Sequence, residues 1–285
     1  MNNNKLFIDI VIPTYFENKS RRYFHTEKIF KYMNKLARSL IRDKIILSFT
    51  VVGCNTELSI NLFKDIFGHN SNNSYVIFTQ FGSAENGVYW LNPKIKEMLN
   101  NKFKIGLTHS IKKNKDITMV MGSNDLICKE FYKQIYEKYN KNEKQFYGIN
   151  NRHNNAVIFF EMDDQLKLND KSLLGIWDGK YPNWSKWVNN KYAGGTFGFN
   201  KCIYEKIHIF NEWSNECLSE KWCEQILNCN LILFESIYYF NIKTGYDITK
   251  PESFLDKLES INTIKIKNET IYNSIIDTIN TYNSM

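Results

Sequence analysis

The sequence predicts the α/β class: a Rossmann-type sandwich with a mostly parallel central sheet and helices on both faces. Three observations predict it. Strand-like and helix-like segments alternate through the first half at regular lengths, which is the signature of a parallel sheet with crossover helices. The strand-like runs Ile8 to Ile12, Ile45 to Val52 and Ile117 to Met121 are almost continuously apolar or β-branched, as strands buried on both faces must be. Two of these runs stop abruptly in polar turns, Pro13-Thr14-Tyr15 and Gly122-Ser123-Asn124-Asp125. The carboxyl ends of such strands are where open α/β sheets bind ligands, so an aromatic turn and an acidic turn there suggest a nucleotide bridged to a metal ion.

The elements follow in order. Ile8 to Ile12 is the first strand. Phe24 to Ile41 is a helix, because Ile29, Met33, Leu36, Ala37, Leu40 and Ile41 share one face. Ile45 to Val52 is the second strand. Thr56 to Phe67 is a helix opened by Asn55 or Thr56 and stopped by Gly68. Tyr75 to Thr79 is the third strand, and Gly82 to Asn92 is a loop. Pro93 to Leu99 is a helix with Asn92 as cap and Pro93 at the first helical position. A separate helix runs from Gly106 to Lys113. Ile117 to Met121 is the fourth strand, and Leu126 to Tyr139 is read as the helix after the acidic turn. In the second half, Phe146 to Ile149 and Ala156 to Met162 read as strands. Gly194 to Phe199 reads as a small-residue turn entering a strand. Lys201 to Ile207 and Leu218 to Leu227 read as helices, and Leu231 to Phe240 as one strand. Two short amphipathic segments follow Ser253. The second half is expected to extend the first sheet and cover its ligand edge.

A chain of 285 residues with 43% hydrophobic and 24% charged residues buries a sizeable core and is not disordered. The net charge of +7 fits either a solvated lysine-rich surface or attraction to phosphates, whether of a nucleotide, a nucleic acid or an anionic glycan. The lysines are spread along the chain, which favours the first reading. Six cysteines form no CxxC pair, and Cys217, Cys223 and Cys229 are six apart, which is not metal-ligand spacing. Free thiols in a reducing compartment are expected. The amino terminus lacks signal-peptide anatomy, and no apolar stretch approaches the roughly 18 residues of a membrane helix. The expectation is a soluble, cytoplasmic protein with no membrane segment. Abundant Asn, Lys and Ile indicate an AT-rich coding genome, which suggests a viral source and then the host cytoplasm.

Several residues carry two readings. Asp125 either holds Mg²⁺ or Mn²⁺ against substrate phosphates or caps the helix that follows it. Tyr15 either edges a nucleotide base or packs as a strand-end core aromatic. The segment Trp177 to Trp187 is either an acceptor platform, with flat rings against sugar C–H faces, or a satellite core under a long loop. Asp163 and Asp164 are a second carboxylate pair or a solvated turn. Lys243-Thr244-Gly245 is a loop over a diphosphate or a surface turn. The five histidines form no ligand pattern, and His109 is the one to test. A nucleotidyltransferase or a Rossmann oxidoreductase needs a glycine-rich loop after the first strand. Thr14-Tyr15-Phe16-Glu17 contains no glycine, so both readings fall.

Four stretches, in order, resemble family 2-type glycosyltransferases with the GT-A fold. Ile8 to Tyr15 is similar to that family's first strand and its Pro-Thr-Tyr turn. Gly106 to Lys113, with the strand after it, leads to Ser123-Asn124-Asp125 in the place of the Asp-X-Asp metal motif. Ala193 to Phe199 is similar to the glycine-bearing segment that borders donor sugar and acceptor. Leu218 to Trp222 stands where the family carries its catalytic base. The resemblance covers about residues 6 to 240. It departs in two places: Ser123 stands for the first Asp of the metal motif, and Ser219-Glu220 stands for the Glu-Asp pair.

The resemblance implies a GT-A-like fold and a single glycosyltransferase domain over 1–250. Residues 1–125 form its nucleotide-sugar-binding half and 126–250 its acceptor-binding half, with a helical C-terminal extension over 251–285. It implies transfer from a UDP-, GDP- or other nucleotide-sugar donor to an acceptor hydroxyl, with inversion. Glu220 is the implied base and Glu224 its alternative. Asp125 is the implied ligand of Mn²⁺ or Mg²⁺. Pro13, Thr14, Tyr15, Glu17, Ser123, Asn124, Gly194 and Gly195 are implied in donor binding, with Asn18 able to stand for Glu17. The acceptor is a glycan or, given the charge, a modified DNA base. The competing reading is a non-catalytic nucleic-acid- or glycan-binding module on a degenerate glycosyltransferase fold.

Overall fold

The structure, a computed structural model, describes residues 5–14, 19, 21–54, 57–67, 74–79, 93–150, 157–161, 163, 165, 167–169, 173–177, 192–204, 228–234, 239–243, 258–259 and 269–285. In the first half, β1 (Leu6–Pro13), α1 (Arg21–Leu40), β2 (Ile45–Cys54), α2 (Glu57–Phe67), β3 (Ser74–Thr79), α3 (Pro93–Lys112) and β4 (Ile117–Val120) follow one another. Then come β5 (Asp125–Ile127), α4 (Lys129–Lys138), β6 (Gln145–Asn150), β7 (Val157–Glu161), β8 (Leu173–Trp177) and β9 (Tyr192–Asn200). The remainder is β10 (Asn230–Phe234), β11 (Tyr239–Lys243), β12 (Leu258–Glu259) and a C-terminal helix, α5 (Glu269–Asn283).

The main sheet has seven strands in the order β10-β6-β9-β4-β1-β2-β3. All its neighbouring pairs are parallel except the two made by β9, which runs against β4 and β6. This is the expected α/β class, a Rossmann-type sandwich with a mostly parallel central sheet. Its two faces are visible in β1. Ile8, Ile10 and Ile12 point into a core shared with Ile29, Met33, Leu36 and Leu40 of α1 and Leu62 and Phe63 of α2. Val11 points the other way, into a core with Leu107 of α3, Val120 and Phe197. Alternation along a strand buried on both sides gives this division, and each fully buried Ile or Leu contributes about 1.5–3 kcal/mol.

α1 forms because its buried residues His25, Ile29, Met33, Leu36 and Leu40 recur at three- and four-residue spacing. It ends in a 3-10 turn, Ile41–Asp43, where Lys44 takes a left-handed conformation (φ 63°) and donates its N–H to the Ile41 carbonyl at 3.0 Å. Asn34 Nδ2 donates to the Ile66 carbonyl at 2.8 Å and ties α1 to the last turn of α2. α5 joins the same side: Ile279 and Tyr282 enter the α1 core, and the Tyr282 hydroxyl lies 2.7 Å from His25 Nδ1.

The structure corrects the sequence reading at five elements. Pro93 to Lys112 is one helix, not two, and runs through Gly106. A Cβ at Gly106 would overlap Val11 Cγ1 and lie 2.9 Å from Val52 Cγ2, so glycine is there to bring α3 onto the sheet. Asp125 to Ile127 is a strand, and the helix after it begins only at Lys129. Gly194 and Gly195 lie within β9, not in a turn before it. The single strand expected over Leu231 to Phe240 is two, β10 and β11, in different sheets. Leu173–Trp177 is a strand that the sequence reading did not assign.

The second half divides between two sheets. β6, β9 and β10 extend the main sheet as expected, while β12-β8-β7-β11-β5 form a separate five-stranded sheet. The helix expected over Leu218 to Leu227, the loop from Gly82 to Asn92 and the segment from Asp178 to Trp187 lie outside the described residues.

Candidate functional site

β1, β2 and β3 step outward in one direction, and β4 is added on the other side of β1. The strand order therefore reverses between β1 and β4, and a crevice opens at the carboxyl ends of these two strands. Val11 is in register with Val120, and the Met121 N–H continues the ladder to the Val11 carbonyl at 3.0 Å. Thr14 and Ser123 each follow that pair by three residues, at the carboxyl ends of the two strands. Thr14 is held from the other side by its N–H to the Val52 carbonyl at 2.9 Å.

The acidic turn is built locally and then anchored at long range. Gly122 N–H donates to Asp125 Oδ2 at 3.0 Å, and Asp125 N–H donates back to the Gly122 carbonyl at 3.2 Å. A Cβ at Gly122 would overlap that carboxylate, so the turn requires glycine. The Asn124 carbonyl accepts the Ile242 N–H at 2.9 Å, and β5 pairs antiparallel with β11 through Asp125↔Asn241. Asp125 is consequently buried, 2% exposed, at the seam between the two sheets. It does not cap the next helix: Cys128 occupies the N-cap of α4 and makes no side-chain cap bond.

Three basic side chains reach this edge, and none was singled out from the sequence. Arg22, in the first turn of α1, donates from Nη2 to Ser123 Oγ at 3.1 Å. Its neighbour Arg21 donates from Nη2 to the Asp163 carbonyl at 2.9 Å. From the opposite face, Lys102 of α3 donates to the Thr14 carbonyl at 2.6 Å and is only 3% exposed. The adjacent arginines, in a chain whose cations are mostly lysine, were a signal available in the sequence. Lys102 had none, since it is one lysine among several in an amphipathic helix.

The other sequence candidates divide as follows. Pro13 ends β1, and Thr14, Ser123, Asn124 and Asp125 lie at the reversal just described. β9 runs antiparallel to β4 with Phe197 opposite Val120, so Gly194 and Gly195 lie toward the same carboxyl edge. Tyr15, Glu17, Asn18, Asp164, Glu220, Glu224, Thr244 and Gly245 lie outside the described residues. The Asp163 carboxylate closes a turn: Oδ1 accepts the N–H groups of Gln165 and Lys167 at 2.9 and 2.8 Å, and Oδ2 accepts Asn169 Nδ2 at 2.9 Å. His109 belongs with Lys113 and Asp9, in the amino half of the strands. Burial, then Lys113, lowers its pKa, and Asp9 opposes them.

Below the site, Asp9 is fully buried at the centre of β1. It accepts Ser48 Oγ at 2.5 Å, Thr50 Oγ1 at 2.7 Å and Lys113 Nζ at 2.8 Å. Lys113 also donates to the Phe49 carbonyl at 3.2 Å. This is a satisfied buried ion pair that fixes the end of α3 on the sheet.

The divalent ion implied by the resemblance requires several oxygen donors. The described residues present one carboxylate, Asp125, whose Oδ2 is engaged by Gly122. Among the described residues, no group of three or more His, Cys, Asp or Glu side chains converges. With one carboxylate among the described residues, substrate phosphates would have to complete the coordination of such an ion. Also among the described residues, no helix is long and apolar enough to cross a membrane, and Cys128, Cys202 and Cys229 are free thiols.

No family model matches the chain, and no curated protein matches it. Solved structures do. One is the mannosyltransferase PcManGT from Pyrobaculum calidifontis in complex with GDP-Man and Mn²⁺. It is 10% identical with a TM-score of 0.47, and the match covers 84% of this chain and 57% of that one. This chain therefore spans less than two thirds of that protein. HddC from Yersinia pseudotuberculosis matches at 12% identity and a TM-score of 0.39, over 87% of this chain and 97% of that one. The galactosyltransferase LgtC, in complex with donor and acceptor sugar analogues, matches at 12% identity and a TM-score of 0.35, over 78% and 66%.

Proposed function

We propose that this chain is a glycosyltransferase that takes a nucleotide-diphosphate sugar and moves the sugar to an acceptor hydroxyl. The observation that carries the reading is the strand-order reversal between β1 and β4, with Thr14, Ser123 and Asp125 at the carboxyl ends of these strands and Arg22 bonded to Ser123. A crevice of this kind, walled by strand ends and served by cations, suits a nucleotide with its phosphates at the sheet edge. In the reaction, the acceptor oxygen attacks the anomeric carbon and the new C–O bond forms on the face opposite the diphosphate. The anomeric C–O bond to the diphosphate breaks, and its electron pair leaves on the nucleotide. The acceptor proton passes to a carboxylate, and the family resemblance assigns that role to Glu220, with Glu224 as the alternative. The acceptor is a glycan hydroxyl or the hydroxyl of a modified DNA base.

The test is a donor panel. UDP- and GDP-sugars are incubated with the protein and simple acceptors, and nucleotide release and product anomer are read by chromatography and NMR. Turnover of one donor to the inverted product, lost in Glu220→Gln or Glu224→Gln with donor binding intact, supports the reading. Failure of every nucleotide sugar to bind would sink it and favour the binding module.

A further inference from the structure

We propose that the amino edge of the main sheet is a docking surface for an anionic lipid bilayer. The candidate site lies at the other end of the strands, and the proposal does not rest on the donor reading. Cations far apart in the sequence meet at this edge. Lys5 and Lys44 precede β1 and β2, whose first residues pair as Leu6↔Ile45, and the Leu6 N–H donates to the Lys44 carbonyl at 2.9 Å. Lys115 comes just before β4, with its Nζ 5.4 Å from the centre of the Phe7 ring. Lys201 follows β9, and its N–H donates to the Asp116 carbonyl at 3.0 Å, beside the start of β4. Lys144 precedes β6, and its carbonyl accepts the Asn230 N–H at 2.7 Å, where β10 begins. Lys141 belongs to the same turn, its carbonyl accepting Cys202 Sγ at 2.9 Å, and Lys138 ends α4. The neighbouring strands β2-β1-β4-β9-β6 therefore all carry lysine at this end. At about 4.8 Å between strands, the charge is spread over about 20 Å.

The carboxylates on these strand ends and turns leave an excess of cations. Asp43 is held by Lys129 at 2.6 Å, and Asp116 lies 3.6 Å from Lys201. Glu137 and Glu143 are the others. Lys5, Lys138 and Lys141 are exposed, and no carboxylate among the described residues pairs with them or with Lys144. Two features select a bilayer over a nucleic acid. Ile41 is 56% exposed, the one exposed large hydrophobic side chain among the described residues, and it stands in the 3-10 turn with Arg42, two residues before Lys44 turns the chain into β2. The boundary between headgroups and acyl chains takes up such a side chain, whereas a phosphodiester backbone offers it nothing. Nor is any aromatic ring exposed among the described residues, which stacking on bases would require. Lysine ammoniums on flexible stems suit a plane of anionic headgroups, and each one near that plane strengthens binding by about fivefold.

The experiment is co-sedimentation of the full chain with vesicles of phosphatidylcholine alone and of equimolar phosphatidylcholine and phosphatidylglycerol, at physiological and at high salt. Fluorescence anisotropy with a labelled mixed-sequence DNA duplex runs beside it. The variants are the triple substitution Lys138→Glu, Lys141→Glu, Lys144→Glu, and Ile41→Ser, each checked for a wild-type circular dichroism spectrum. The expected result is binding to the mixed vesicles, little to phosphatidylcholine alone, and a loss at high salt. The triple variant should bind the mixed vesicles about tenfold or more weakly, and Ile41→Ser about threefold or more weakly. Equal binding to the two vesicles, no binding to either, or a triple variant that binds as wild type would overturn the inference. Tighter binding to the duplex than to the mixed vesicles, or vesicle binding that Ile41→Ser leaves unchanged, would overturn the assignment to lipid. Either Ile41→Ser or the triple variant decides if the other fails to fold.

Discussion

Gly122 and Asp125 hold each other: the glycine N–H donates to the aspartate Oδ2 at 3.0 Å, and the aspartate N–H returns to the glycine carbonyl at 3.2 Å. The carboxylate therefore has a folding role before any ligand arrives. Asp125→Ala should cost about 1–2 kcal/mol by leaving the half-buried Gly122 N–H without this acceptor. Asp125→Asn, which keeps an oxygen in the same place, should cost less than about 1 kcal/mol. Urea unfolding checks the order. Equal stability of the alanine variant and wild type would show that the bond contributes nothing. A fall in activity in Asp125→Ala alone would thus report on the turn, and the asparagine variant isolates the charge.

Replacing glycine by alanine inside a helix ordinarily stabilises by about 1 kcal/mol. At Gly106 the sign should reverse. A Cβ there meets Val11 and Val52, so α3 must move off the sheet or both valines must shift. Over-packing of this kind costs about 1–3 kcal/mol. Gly106→Ala should lower the midpoint of thermal unfolding, and a midpoint above wild type would show that α3 does not approach β1 and β2 this closely.

The Asp9–Lys113 pair joins the middle of β1 to the end of α3. Asp9 is fully buried and the Lys113 side chain is 15% exposed. Lys113→Met removes the cation and leaves Asp9 with the hydroxyls of Ser48 and Thr50. The expected loss is about 2–4 kcal/mol, since breaking a buried pair strands its partner. Denaturant unfolding measures it, and a loss under about 0.5 kcal/mol would place this pair with the weak surface bridges.

His25 is enclosed between α1 and α5, and burial, followed by Arg22 and Lys28, lowers its pKa from 6.5 to about 3. The folded state thus favours the neutral ring. Its contribution is complete above the unfolded pKa of 6.5 and is lost as pH falls from 6.5 toward about 3, at no more than about 1.4 kcal/mol per pH unit. Wild type should lose about 2 kcal/mol from this group between pH 7 and pH 5, and His25→Gln should lose that much less. Parallel stability curves for the two would overturn the assignment. α5 is docked at two points: Tyr282 bonds His25, and the Asn283 side chain bonds both the N–H and the carbonyl of Leu168. Amide exchange should therefore show α5 opening first as the pH falls.

The first half of the fold was legible because its strands are buried on both faces and its helices on one. Ile8 to Ile12, Ile45 to Val52 and Ile117 to Met121 carry that information in uninterrupted apolar runs, and each run forms a strand in the structure. Thr14 and Ser123 to Asp125 were legible for the same reason, as the polar residues where such runs stop. Leu126 and Ile127 were not. Two apolar residues before a helical pattern look like its first turn, and only pairing with Tyr239 and Phe240 makes them a strand. Lys102 was equally silent, since a cation on a helix surface looks alike whether it meets water or a strand end.

The sequence by itself determined the α/β class, the strands of the parallel core and the polar turns at their carboxyl ends, because burial on one face or two imposes a local period. The tertiary structure decided how the second half divides between two sheets, why α3 carries a glycine, and which cations stand beside Thr14 and Ser123. Those features depend on contacts between residues far apart in the chain, such as Arg22 and Ser123, which are separated by 101 positions. No local period records such contacts, because each is fixed by the packing of whole elements and not by the residues beside it in the chain.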